Sequence, residues 1–316
     1  MNSKPTLLVN ENKTIFQSNL FEEMWEQYFN VEIINLNKTY DKKSTIVVSE
    51  GFEFRRKSNL DELTIANKGI RHIIDRCWDS WDYLLDDSAD FTLRPRDFIR
   101  INESLLYSHL GYNKFNLVPT NKYDFLMLIH KKHKTRTDIY NKLQPVLENN
   151  IYSYVGDGIS LQNANDQVYN ETSWERYIDP NWYKNTRFSV VVESIYFLSN
   201  SYQWPNVSEK TYKPCAFKHP FIVWGQPESL KEIKRLGFET FDHCIDESYD
   251  SETTYELRLQ KVINNINTVI DNKDLFNDNI TLEKIDHNYN LFYDQKVVME
   301  LFKSQILNPL LEFIES

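Results

Sequence analysis

Glycine is scarce in this chain: seven residues in 316, widely scattered. Phosphate-cradling loops need glycines at fixed spacing, and no Gly-x-x-x-x-Gly-Lys-Ser/Thr run is present. Gly156-Asp157-Gly158 is the one close pair, and it lacks the third glycine of a dinucleotide fingerprint. A Gly-x-Ser-x-Gly nucleophile elbow is missing too, which excludes the usual α/β-hydrolase arrangement. Cysteine is equally sparse. Cys77, Cys215 and Cys244 are odd in number and far apart, which argues against a disulfide framework and for a reducing compartment. No stretch approaches the about 18 apolar residues of a membrane span. The first residues, Met1-Asn-Ser-Lys-Pro, show no charged-then-apolar leader. A cytoplasmic protein without a membrane span is expected.

Positive charge is in deficit: 36 Lys and Arg against 46 Asp and Glu give a net charge of −10. Nucleic-acid affinity comes largely from phosphate neutralisation, so this balance disfavours a nucleic-acid partner while leaving room for a local basic groove. Metal-ligand patterns are thin. His130 and His133 are three apart, but no Cys or carboxylate joins them at ligand spacing, and basic surface is the plainer reading. His243 and Cys244 are adjacent, and on a strand neighbouring side chains point oppositely. No Asp-x-Asp stands at a strand end in the second half, which weakens any reading that needs a metal-bridged sugar nucleotide. No metal site is expected.

What the chain does have is core material: 41% hydrophobic residues and 14% aromatics. Wholesale disorder is excluded. Short apolar runs predict strands at 6–10, 31–36, 45–49 and 70–75, and helical spacing predicts helices from Leu20 to Tyr28 and at 102–110, with Gly111 placed to stop the latter. The alternation restarts after a polar stretch, 112–123, with strands at 124–129, 151–155, 187–193, 221–224 and 238–241. Helices are expected at 137–147, 209–217, 230–236 and 257–270, and a long one at 295–314. Alternating strands and helices imply an α/β protein with parallel sheets covered on both faces. The expected organisation is two Rossmann-like domains facing a cleft, 1–118 and 119–290, followed by a C-terminal helix, 291–316, that returns to the first domain. Ligands of such sheets bind beyond the carboxyl ends of the strands, so the loops after Ile129, Glu193 and Trp224 are the places to search.

Residues 187–225 are the most informative. A buried strand delivers Glu193 to the sheet's edge, and a loop then crosses to Ser208, a good helix N-cap. Glu209, Lys210 and Thr211 open the helix, where the positive dipole end suits a phosphate. A lysine there adds a point charge, and an ionised carboxylate can accept two hydroxyls of a ribose. The plain alternative is a dipole-stabilising Glu beside a solvated Lys. Pro214 cannot donate to the Lys210 carbonyl, so a bend is expected in this helix. The densest basic run, His130-Lys131-Lys132-His133-Lys134-Thr135-Arg136, follows the strongest strand of the second half. It reads as a diphosphate site, a solvated loop or a grip on a polyanion. Arg136 offers a bidentate fork that Lys131 cannot match.

These segments resemble the donor site of α-1,3-fucosyltransferases: Ser208-Glu209-Lys210 followed by Pro220-Phe-Ile-Val-Trp-Gly225. They are also similar to uncharacterised microbial and viral glycosyltransferase-like proteins, through 209–214, 220–225, 236–241 and 246–250. The resemblance spans about residues 122–260. It implies a two-domain glycosyltransferase of the GT-B type, inverting and metal-independent, that uses a nucleoside-diphosphate sugar as co-substrate and no further cofactor. It implies that Lys210 and Arg136 hold the diphosphate, that Glu209 holds the ribose, and that Glu193 matches the Glu of a Glu-Asn pair. Ser194 replaces that Asn, and Asn206 stands where fucosyltransferases have an aromatic. Base, sugar and acceptor stay open. For the catalytic base, Glu50, directly after a strand, is the first choice, with Asp75 and Asp79 as rivals. Asp246, Glu247 and Tyr249 are candidates for the sugar subsite, Arg258 for a structural partner to an acid there, and Trp78, Trp182 and Trp204 for stacking on a sugar. Competing functions are a DNA-base-modifying glycosyltransferase, with 131–136 in a DNA groove, and a non-catalytic nucleotide-sugar-binding module.

Overall fold

The structure is a computed structural model that describes residues 4–9, 26–33, 45–50, 71–75, 91–93, 97–115, 119–162, 178–193, 205 and 207–316. Contacts divide the chain into two compact units, Met1–Leu110 with Gln295–Ser316, and Gly111–Asp294. The first unit ends at Leu110, ahead of the polar stretch expected to form the boundary.

The first unit holds a sheet of β1 (Thr6–Val9), β2 (Asn30–Ile33), β3 (Thr45–Glu50), β4 (Arg71–Asp75) and β5 (Phe91–Leu93), in the order β2-β1-β3-β4-β5. Every pair is parallel. The order reverses between β1 and β3, as in doubly wound sheets, and Glu50 is the last residue of β3. Helix α1 (Phe98–His109) follows, four residues earlier than the spacing suggested. Gly111, with φ of 75°, supplies the left-handed conformation just past its end. Of the helix predicted from Leu20 to Tyr28, only its last residues fall among those described.

The second unit holds β6 (Tyr123–Ile129), β7 (Ile151–Tyr154), β8 (Ile159–Gln162), β9 (Thr186–Val192) and β10 (Phe221–Trp224), in the order β10-β9-β6-β7-β8. All pairs are parallel except β7 with β8. The strand order reverses at β6, which lies between β9 and β7. β9 is buried along its whole length, which is why it reads as a continuous β-branched run without alternation. Its helices are α2 (Lys134–Leu147), α3 (Pro180–Asn185), α4 (Glu209–Ala216), α5 (Ser229–Arg235), α6 (Tyr255–Asp271) and α7 (Asn279–Tyr293). Arg187 ties the start of β9 to its surroundings. It donates to Asp124 at 2.6 Å and to the carbonyls of Val269 and Asn272, at the end of α6, at 2.8 and 2.9 Å.

Residues 238–241 form no strand, contrary to expectation. Their backbone groups are taken by α7: Asn288 Oδ1 accepts the Glu239 N–H at 2.7 Å, and Asn288 Nδ2 donates to the Glu239 carbonyl at 2.9 Å. Lys284 donates to the Thr240 carbonyl at 2.7 Å. The long C-terminal helix is interrupted by a π-helical turn, Lys303–Leu307, between helices Gln295–Phe302 and Asn308–Glu315. Among the described residues, no helix is long and apolar enough to cross a membrane.

Candidate functional site

The site is assembled around the start of α4. Ser208 is its N-cap, accepting the Lys210 N–H at 3.3 Å. Glu193 follows β9 directly and is only 1% exposed. Its carboxylate accepts three hydrogen bonds: from the Ser208 N–H at 2.9 Å, the Ser208 hydroxyl at 2.5 Å and the Thr211 hydroxyl at 2.8 Å. A buried carboxylate needs such compensation, and the positive end of the helix adds to it. Glu193, Ser208 and Thr211 therefore bind each other and fix where the helix begins.

The next side chains face a cavity. Lys210 Nζ lies 2.6 Å from Glu209 Oε1 and 3.1 Å from Ser208 Oγ, and the two side chains are 20% and 19% exposed. Burial pushes the Glu209 carboxyl up, but the charges of Lys210 and Lys213 outweigh it and hold the group at about 2. Its second oxygen, Oε2, is buried and makes no hydrogen bond to the described residues. The cavity, about 70 Å³, is lined by the carboxyl ends of β6 and β9, with Glu209, Lys210 and Lys213 on one side and His130 and Trp182 among the others. That is the switch point of this sheet, where ligands of doubly wound folds bind.

Arg136 is not among the residues lining this cavity. It is 3% exposed, in the first turn of α2, and its guanidinium donates to the Lys131 carbonyl at 3.2 Å. The structure thus joins Glu209 and Lys210 in one cavity and turns Arg136 to the backbone of the basic loop. Lys131 itself is exposed. Lys132 pairs with Asp157. Gly156 packs against this loop, and any Cβ there would collide with the Lys132 nitrogen and lie 2.7 Å from the His130 oxygen. The lone Gly-x-Gly pair therefore serves loop packing. Lys213 was missed from sequence. Its spacing four residues after Glu209, on the same helix face, was the available signal.

The proposed sugar-subsite residues are committed elsewhere. Tyr249 is fully buried and its hydroxyl accepts the Val223 N–H at 3.4 Å. Asp246 caps the turn Glu247–Asp250, and Glu247 accepts from Lys234 and Thr240, each at 2.9 Å. Arg258, fully buried, donates to the carbonyls of Gly225, Asp250 and Gln226 at 3.0, 2.9 and 2.7 Å, and lies 3.5 Å from Asp250 Oδ1. It is a structural clamp on the loop after β10. Trp182 is buried in the cavity wall. Ser194, Asn206, Asp79, Trp78 and Trp204 lie outside the described residues, and for Glu50 and Asp75 only the strand position is described.

His243 and Cys244 lie in a turn, not on a strand, and both reach Asp278, the N-cap of α7. They form a cluster apart from the cavity residues.

Comparison with known protein families and with curated proteins finds no match. Among solved structures, the chain is similar to an α1,3-fucosyltransferase crystallised with GDP-fucose, at a TM-score of 0.46 and 12% identity, over 95% of this chain and 90% of that one.

Proposed function

We propose that the protein transfers a sugar, fucose or a related hexose, from a nucleoside-diphosphate donor to a hydroxyl acceptor, as an inverting glycosyltransferase of the GT-B type. The observation that carries this reading is the trio Glu209, Lys210 and Lys213, facing one cavity at the switch point of a doubly wound sheet. In this scheme Lys210 and Lys213, with the helix dipole behind them, stabilise the charge that grows on the departing diphosphate. Glu209 is ionised at neutral pH and has an unengaged oxygen, which suits a pair of ribose hydroxyls. Glu193 and Thr211 position the helix. Arg136 supports the 130–133 loop through the Lys131 carbonyl, and Lys131, Ser194 and Asn206 complete the donor site. Glu50, at the carboxyl end of β3, takes the proton from the acceptor hydroxyl. The scheme uses no bound metal and no cofactor beyond the sugar nucleotide.

The test is a thermal-shift panel of UDP-, GDP-, CMP- and ADP-sugars. A true donor at about 100 times its Kd adds about 2.7 kcal/mol to stability. Lys210→Ala removes most of that shift, and an unchanged shift would place the donor elsewhere. Glu50→Gln keeps the shift and loses transfer, which separates an enzyme from a binding module.

A further inference from the structure

His243, Cys244 and Asp278 present one ligand atom each within 4.8 Å of one another. His243 Nε2 is 3.4 Å from Asp278 Oδ1, and Cys244 Sγ is 3.5 Å from Asp278 Oδ2. Two atoms bound tetrahedrally to one zinc ion, at roughly 2.0–2.1 Å for nitrogen or oxygen and about 2.3 Å for sulfur, sit roughly 3.4 to 3.6 Å apart. Each of the two separations to the Asp278 carboxylate falls in that range, one at each of its oxygens, and the 4.8 Å limit on the trio leaves small side-chain shifts to close the tetrahedron.

The local fold explains why three such groups converge. Adjacent residues on a strand point oppositely, but His243 and Cys244 lie in the turn that follows 238–241, which α7 holds through Asn288 and Lys284. Asp278 is fixed by capping α7: its Oδ1 accepts the Thr281 N–H at 3.0 Å and its Oδ2 the Thr281 hydroxyl at 2.6 Å. Each carboxylate oxygen keeps a second lone pair for a cation. The Thr281 hydroxyl also lies 3.0 Å from His243 Nε2. Zinc on that nitrogen would replace this contact, while the bond from the Thr281 hydroxyl to Asp278 Oδ2 is the kind of outer support that a ligating carboxylate commonly has. His243 is exposed, and Cys244 and Asp278 are half-buried, so an ion can enter from solvent.

We propose that His243, Cys244 and Asp278 form a zinc site, with a water completing the tetrahedron. Sulfur, imidazole and carboxylate together favour zinc over the all-oxygen preference of magnesium or calcium. On binding, the Cys244 thiol gives its proton to solvent, and thiolate plus carboxylate balance the two positive charges of the ion. The ion then staples the 242–245 turn to the start of α7. None of these residues lines the cavity at α4, so the site stands or falls apart from the glycosyltransferase reading.

The experiment uses the full chain after removal of metal with a chelator. Zinc chloride, titrated against a chromogenic chelator, binds with one equivalent. Cobalt chloride in its place gives a thiolate-to-cobalt charge-transfer band in the near ultraviolet. Cys244→Ser abolishes the band, and both Cys244→Ser and His243→Ala weaken zinc at least about tenfold, the low end of what losing an outer-sphere partner typically costs. Cys77→Ser and Cys215→Ser retain both signals. Circular dichroism of the metal-free variants checks that each one folds. No uptake of zinc, uptake unchanged in Cys244→Ser, or a cobalt band that follows Cys77 or Cys215 would overturn the proposal.

Discussion

A buried histidine shows how much a single side chain commits this protein. His219 is buried, and its Nδ1 meets the Ser189 hydroxyl at 2.8 Å while its Nε2 meets the Thr186 carbonyl at 2.8 Å. Burial lowers its pKa to about 4, against the partial opposing effect of the Thr186 carbonyl. Unfolded, the ring titrates near its ordinary value of about 6.5. Between those values the unfolded chain binds the extra proton, so stability falls as pH drops from about 6.5 to about 4, by on the order of 3 kcal/mol. Urea unfolding across that window should show a steeper fall in the native chain than in His219→Asn, where carboxylates such as Glu209 still titrate at the acid end. An equal slope in both would mean that another group titrates. At this scale the Ser208 cap and the helix start at Glu209 and Lys210 were legible, because a cap and the first helical turn are local features. The bond from the buried Arg136 guanidinium to the Lys131 carbonyl was not legible, since it depends on how the preceding loop folds back. Tyr249 misled for a similar reason: its polar hydroxyl is engaged inside the core by a backbone N–H of β10.

The same distinction between local and distant causes governs the elements. β6, β9 and β10 were legible because strands buried on both faces are near-continuous apolar runs. Helix α7 was not legible. It buries polar Thr281 and Asn288 beside Ile285 and Phe292, so its apolar period is broken, and Asn288 instead serves the 238–241 segment. β8 was missed because it is a short, half-exposed edge strand. Helix α4 depends on a group outside itself. Three donors converge on Glu193, and removing the carboxylate leaves them buried without an acceptor. Glu193→Ala should cost about 3 kcal/mol or more, since each orphaned buried polar group costs about 1–3 kcal/mol. Thr211→Val, which removes one of the three donors, should cost nearer 1 kcal/mol. Urea denaturation of the two variants gives the comparison. Equal losses would show that Glu193 does not anchor the helix. The loss should also weaken the binding of a nucleoside diphosphate in Glu193→Ala, because Lys210 and Lys213 are carried on that helix.

At the scale of the whole molecule, the chain's two ends share one unit. Residues 295–316 belong with 1–110 in the first unit, although nearly two hundred positions separate them along the chain. Polar links between them include Gln305, which accepts the Asp97 N–H at 2.9 Å and donates back to the Asp97 carboxylate, and Gln295, which donates to the Ser108 hydroxyl at 3.1 Å. Helix Gln295–Phe302 packs on α1, and Val298, Phe302, Ile306, Leu307 and Leu310 are buried. Burying such a side chain contributes about 1.5–3 kcal/mol, so these five supply on the order of 10 kcal/mol. That is comparable to the whole stability of a typical domain, about 5–15 kcal/mol. A chain ending at Asp294 should therefore keep the second unit folded and lose the first. Hydrogen exchange resolves the two outcomes by segment. Amides of β6, β9 and β10 should retain their protection, while those of α1 should exchange at the rate of an open chain. Protection of α1 equal to that in the full chain would mean that the first unit folds without its C-terminal segment, and that the buried face of 295–316 adds little to it.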